Sequence, residues 1–231
     1  MFEGHMYVAE HTNDAFMYRV YGWMAAALAV TAATAWYVFS TAWFYQAVLD
    51  KPFVLLLLFI AQIGLVVALS ALLHKLSYAT AVLLFLLYAM SLGITLSLIF
   101  RVYTLGSIAS TFVVTSGMFG GMALYGYMTK TDLTGVRNAS IMVLWGIILA
   151  MAVNLFLQNF WFDYVVSMVG VVLFTLLTAA DTQKIKQLHQ QLIADRQTKS
   201  KIALLGALTL YLDFINLFLF LLRFMGGRRN Q

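Results

Sequence analysis

Apolar residues run in blocks of about twenty along most of this chain, and about twenty residues of helix cross a hydrocarbon core of roughly 30 Å. Read on that ruler, the sequence predicts membrane-spanning helices over 21–42, 53–73, 78–100, 107–128, 139–159, 163–181 and 203–223. The breaks between them are short, except for QKIKQLHQQLIADRQTKSK, a polar and basic stretch joining the last two spans. The single proline, Pro52, starts the second span, where a helix has no use for the missing N–H. The pattern divides the chain into a polar N-terminal segment over 1–20, a seven-helix transmembrane domain over 21–225 and a basic tail over 226–231.

Composition agrees with a lipid environment. Hydrophobic residues make up 63% of the chain, charged residues 10%, and the mean hydropathy is +0.88. Soluble domains carry about 25% charged residues, so an all-α polytopic membrane protein is expected, with the bilayer as its main partner. The net charge of +5 and pI near 9.4 raise nucleic acid as a partner. The bases lie in short loops and at the C-terminal end, where membrane topology and lipid headgroups account for them, so no nucleic acid is expected. With no cysteine in the chain, thiol catalysis and cysteine-ligated metal are excluded. The first twenty residues hold Glu3, Glu10, Asp14 and only Arg19, unlike a cleaved signal peptide, so the first span is expected to act as the insertion signal.

Orientation follows from the Lys and Arg count on each side. With the N-terminus inside, nine bases fall within: Arg19, Lys75, Lys130, Arg137, Lys184, Lys186, Arg196, Lys199 and Lys201. Five fall outside: Lys51, Arg101, Arg223, Arg228 and Arg229. A cytoplasmic N-terminus is expected, although a last helix that re-entered rather than crossed would move the final three bases inside.

Against this apolar background stand Asp181 and Asp213, one in each of the last two spans. An ionised Asp at the bilayer centre costs roughly 2.5–3.5 kcal/mol, so a chain that keeps two pairs them, wets them or holds them protonated. At about 100° per residue, Gly206, Thr209, Asp213, Asn216, Phe220 and Arg223 share one face of the seventh helix. Ser167, Gly170, Thr178 and Asp181 share one face of the sixth. Polar faces turn toward a bundle interior, so the two carboxylates can meet. Asp181 is predicted at the end of its span and Asp213 about ten residues, or roughly 15 Å, into the next, so they meet only if the last helix starts deeper or extends further.

Two carboxylates within hydrogen-bond reach share a proton and titrate as a pair. Doubly deprotonated, the pair suits a hard divalent cation, making Asp181 and Asp213 a weak Ca²⁺ site as well as a pH sensor. No other cofactor is expected. His74 and Lys75, after the second span, read first as interfacial snorkelling residues and second as a counter-charge to the pair. The plainer alternative is that the aspartates hold helices together through backbone groups and through Thr209 or Asn216. Gly117, Gly120 and Gly121 in the fourth span read as a close helix-packing surface, and Arg223 as a helix cap meeting lipid phosphate.

The runs LTAADTQKIK, GALTLYLDFINLFLFLLRFMG, YRVYGWM and VYTLGSIASTFVVTSGMFGGMALYGYMTKTDL together resemble the Bax inhibitor (transmembrane Bax-inhibitor-motif) family, in its bacterial inner-membrane branch. The likeness runs nearly end to end. It implies seven helices with the last one central, forming a pH-sensitive calcium leak whose sensor and gate is an aspartate pair in the last two helices. It also implies a basic residue near the end of the second helix that bonds the pair in the closed state. By position these are Asp181, Asp213 and Lys75. The chain departs from the family pattern at Ala180, where similar relatives often have Tyr, in the use of Lys rather than Arg as the basic partner, and in the length of the stretch between the aspartates.

A second function class is a membrane interaction protein: bacterial relatives resemble modulators of membrane proteases, and the polar N-terminal segment would be the docking tail. An intramembrane aspartyl hydrolase is disfavoured by the lack of a Gly-x-Gly-Asp or Pro-Ala-Leu run, so no enzyme is expected. Proton-coupled transport is disfavoured because no inverted repeat is visible.

Overall fold

A computed structural model describes residues 2–41, 51–191 and 195–229; the side chains of residues 2–14, 52 and 196 lie outside that description, and with them most of the suggested docking tail. The helices are α1 (Phe2–Ser40), α2 (Pro52–Ala71), α3 (Tyr78–Leu96), a single turn α4 (Ile99–Val102), α5 (Leu105–Met128), α6 (Thr134–Leu157), α7 (Phe160–Gln191) and α8 (Arg196–Met225). Seven stretches are long and apolar enough to cross a membrane, at Ala15–Ser40, Phe53–Ala71, Tyr78–Val102, Leu105–Met128, Thr134–Leu157, Phe160–Gln191 and Gln197–Met225.

Local chemistry sets the boundaries. Pro52 stands at the first position of α2. The Ser77 hydroxyl caps α3 by accepting the Thr80 N–H at 3.1 Å. Thr104 caps α5 by accepting the Ser107 N–H at 3.2 Å. The third span is broken at Ser97, whose hydroxyl bonds back to the Ile94 carbonyl at 2.6 Å, a contact that competes with the helical ladder.

Three boundaries differ from the pattern reading. The last helix starts at Arg196, seven residues ahead of the predicted start at 203. The fifth starts at Thr134, taking Arg137 into its first turns. The sixth continues through Asp181 to Gln191, so that, with the start of the last helix, most of the stretch read as a loop is helix. It remains helical because Thr182, Gln183 and Ile185 are buried at helical spacing while Lys184 is exposed. The last helix is the enclosed one. In its apolar stretch 72% of residues are buried, against 11–33% in the other six.

Two compact units divide the chain, residues 1–102 with 191–211 and residues 103–190 with 212–231. In the first, the Thr31 hydroxyl meets the Tyr211 hydroxyl at 2.7 Å and the Ala89 carbonyl at 3.0 Å, tying α1 to α3 and to the middle of α8. Gly93 lets α3 approach α1: a Cβ there would lie 2.6 Å from the Thr31 carbonyl oxygen. In the second unit, Phe112 and Phe119 of α5 pack edge-on against Phe214, and Phe174 of α7 stacks on Phe220 of α8 at 5.7 Å. Gly126 of α5 lies against the Ala179 backbone, where any side chain would collide.

The glycines expected to pack helices do something else. Gly117, Gly120 and Gly121 are exposed and face open space, so their spacing reflects no contact among the described residues. Gly126, one helical face away, carries the close approach.

Candidate functional site: an arginine and two buried aspartates

Phe174 and Phe220 set the register of the antiparallel α7–α8 pair. Asp181 lies seven residues after Phe174 and Asp213 seven residues before Phe220, two helical turns in each case, so both aspartates return to the shared face at the same level. The extension of α7 past Asp181 removes the difficulty that the shorter predicted span created. Each aspartate residue is only 5% exposed, and the Asp213 carboxyl lies within the electrostatic reach of both Asp181 and Arg137.

Arg137 supplies the positive charge. Its Nε donates to Asp181 Oδ1 in an ion pair whose Asp side chain is 7% exposed and whose Arg side chain is 24% exposed. One guanidinium therefore stands beside two carboxyls. Asp213 Oδ2 is buried without a hydrogen-bond partner among the described residues, as is Thr182 Oγ1, one residue after Asp181. Buried polar atoms without partners are rare enough to mark a place where a proton, water or ion acts.

The turn that carries Arg137 is clamped to α7. Gln183 Oε1 accepts the Leu133 N–H at 2.8 Å, and Gln183 Nε2 donates to the Thr131 carbonyl at 2.8 Å. Lys186 Nζ donates to the Tyr127 carbonyl at 2.9 Å and lies 4.3 Å from the Tyr127 ring centroid. Asp132 Oδ1 accepts from the Thr134 N–H at 2.9 Å and its hydroxyl at 2.6 Å, opening α6. These two bonds, the hydroxyl's first, hold the Asp132 carboxyl below its ordinary range. Arg137 follows one turn later, its N–H on the Leu133 carbonyl at 2.9 Å.

His74 and Lys75 are exposed in the turn between α2 and α3, and the described base paired with Asp181 is Arg137. Thr209 and Asn216 are half-buried and spend their side chains on α8 itself: Thr209 Oγ1 donates to the Leu205 carbonyl at 3.1 Å, and Asn216 Nδ2 to the Leu212 carbonyl at 2.8 Å. Ala180 is buried with Ala179 and Leu133 against Met122. Arg223 does not end its helix free for lipid alone; its Nη1 donates to Asp163 Oδ1 at 3.2 Å. Among the described residues no group of three or more His, Cys, Asp or Glu side chains gathers to hold a metal.

Seven helices long and apolar enough to cross a bilayer define a polytopic α-helical membrane protein. The family described as inhibitor of apoptosis-promoting Bax1 matches residues 13–230, and the chain belongs to it. The chain is 50% identical to the inner membrane protein YbhL of Escherichia coli (strain K12) over 215 residues, covering 93% of this chain and 92% of that one. It is 44% identical to a protein of Borreliella burgdorferi, covering 95% and 94%. A protein of Deinococcus radiodurans is 39% identical, covering 92% and 90%.

Proposed function

We propose that this protein is a pH-sensitive calcium leak of a bacterial inner membrane, gated by protonation of the Asp181/Asp213 pair with Arg137 as the latch. The inner-membrane placement rests on the likeness to YbhL. The observation that carries the gate is the charge count of the buried cluster, one guanidinium to two carboxyls. While the pair holds one proton, the cluster is neutral and Arg137 is tied to Asp181. Protonation of both carboxyls removes the negative charge that retains the guanidinium, and Arg137, already 24% exposed, turns to water and frees the α6 start from α7. Acid therefore opens the leak. Ca²⁺ is the cargo, met by carboxylate and carbonyl oxygens in passing rather than held in a resident site.

The test is Ca²⁺ influx into liposomes holding the purified protein, from about pH 5.5 to pH 8, a range covering a carboxylate pair in low dielectric. Wild type should leak faster as pH falls, and Asp181→Asn and Asp213→Asn should flatten that dependence. Wild-type flux equal to that of empty liposomes at every pH would remove the channel reading.

A further inference from the structure

We infer that the end of the second unit opposite Arg137 holds a headgroup site for an anionic phospholipid, built from Arg223, Arg228, Asn154 and Tyr103. A cavity of about 260 Å³ opens there, lined by these residues with Met151, Leu155, Asp163 and Val166. Its rim is built by turn chemistry. Gln158, in the left-handed region at φ 48°, ends α6 and donates its N–H to the Asn154 carbonyl at 2.8 Å. Asn154 Oδ1 then accepts the Asn159 N–H at 3.1 Å, and Asn159 Oδ1 accepts the Phe162 N–H at 3.2 Å, opening α7.

The chain's end closes the other side. The basic tail folds back instead of trailing: Tyr103 and Arg228 form an antiparallel bridge, the Thr104 N–H reaches the Gly227 carbonyl at 3.2 Å, and the Gly227 N–H reaches Ser107 Oγ at 2.8 Å. This strap brings the exposed Arg228 to the cavity beside Arg223.

Charge and depth select the ligand. Two guanidinium groups against the one Asp163 carboxylate leave a net positive cavity. Arg223 spends one described hydrogen bond on Asp163, at 3.2 Å, and rests 5.9 Å from the Phe220 ring centroid, which leaves the other N–H donors of its fork for a phosphate. A cavity of about 260 Å³ has room for a phosphate and the group esterified to it. Phe156, Phe160 and Trp161 beside it are 90%, 60% and 73% exposed, the aromatic signature of a membrane–water interface, where phospholipid phosphates lie. A soluble anion would not need that belt.

Native mass spectrometry of the full chain, delipidated in nonionic detergent and titrated with phosphatidylglycerol or phosphatidylcholine, tests the site. Wild type should bind one phosphatidylglycerol roughly tenfold more tightly than phosphatidylcholine, as expected for two bases facing an anionic headgroup. Arg228→Gln, at an exposed position, should lose several-fold of that preference with an unchanged melting temperature. Arg223→Gln with Arg228→Gln should abolish it, whereas Lys130→Gln with Lys184→Gln, which removes the same charge from exposed positions elsewhere, should keep it. Equal binding of the two lipids by wild type, or a preference surviving the double arginine variant or lost equally in the lysine variant, overturns the proposal. So does displacement by inorganic phosphate at concentrations matching the lipid, which would make it a site for free anions.

Discussion

Replacing Arg137 by Gln removes the only described cation on the buried aspartates while keeping a polar side chain of similar length. The Asp181 side chain is 7% exposed and that of Arg137 24%, so the pair lies between the exposed class, worth about 0–1 kcal/mol, and the buried class, where losing one partner costs about 3–5 kcal/mol. About 2 kcal/mol is the working value, and at 1.4 kcal/mol per factor of ten it shifts the closed-to-open ratio roughly thirtyfold toward open. The assay is initial Ca²⁺ influx into dye-loaded proteoliposomes from about pH 5.5 to pH 8. At the alkaline end the Arg137→Gln rate should rise toward the wild-type acid rate, so that the profile flattens from above. Arg137→Lys should fall between the two, because Lys keeps the charge and loses the planar fork. An Arg137→Gln protein that folds, inserts and retains the wild-type pH profile would refute the latch.

Gln183→Ala should free the turn between α5 and α6 by removing two hydrogen bonds at 2.8 Å; at about 0.5–1.5 kcal/mol each, thermal melting should record a loss of about 1–3 kcal/mol, with faster tryptic cleavage at Lys130. Gly126→Val should prevent stable assembly because its Cβ meets the Ala179 backbone, whereas Gly120→Ala should melt within about 0.5 kcal/mol of wild type. Asp132 provides a pH prediction outside the spans. Its folded carboxyl is held low by Thr134, so the capping contribution is fully present above the ordinary Asp value of about 3.9 and disappears as pH falls through the lower folded value. NMR titration should place its midpoint below that of an unstructured Asp, and Thr134→Ala should return it upward.

The spans were legible because a hydrocarbon core forces about twenty apolar residues per crossing, whatever the helices then touch. Asp181 and Asp213 were legible for the same reason, since a carboxylate is conspicuous in an apolar run. Arg137 was not. It stands among Thr, Asp and Asn residues, where a base reads as a topology signal, and only the antiparallel return of α7 brings Asp181 to it. Its position one turn inside an apolar helix was the available signal, hidden by starting that span at 139. The glycines failed differently. Spacing identifies a small face on α5, but which side a neighbouring helix covers is decided by tertiary packing, and that neighbour lies on Gly126. The end of α7 read as loop because its polar residues outnumber its apolar ones, yet Gln183 is polar and 93% enclosed because both ends of its amide are used.

On the proposed mechanism, the two ends of α7 separate structural charge from gating charge. Asp163 and Asp181 are eighteen residues apart, about 27 Å of helix, so they bracket most of a hydrocarbon core, and each has an arginine. The Asp163–Arg223 pair is about a third exposed on both sides, which limits its worth to under about 1 kcal/mol, and Arg223 retains Phe220 when the carboxylate is gone. Asp163→Asn should therefore melt near wild type and keep the pH profile of the leak. Among the described residues Asp213 forms no ion pair and its Oδ2 accepts no hydrogen bond, so an amide of the same shape can take its place in the packing. Asp213→Asn should match wild type in melting temperature, its new N–H₂ finding Asp181 as an acceptor, and should lose the pH dependence entirely. A reversed result, with the profile erased by Asp163→Asn and intact in Asp213→Asn, would move the sensor to the other end of the helix and leave the buried pair as helix glue.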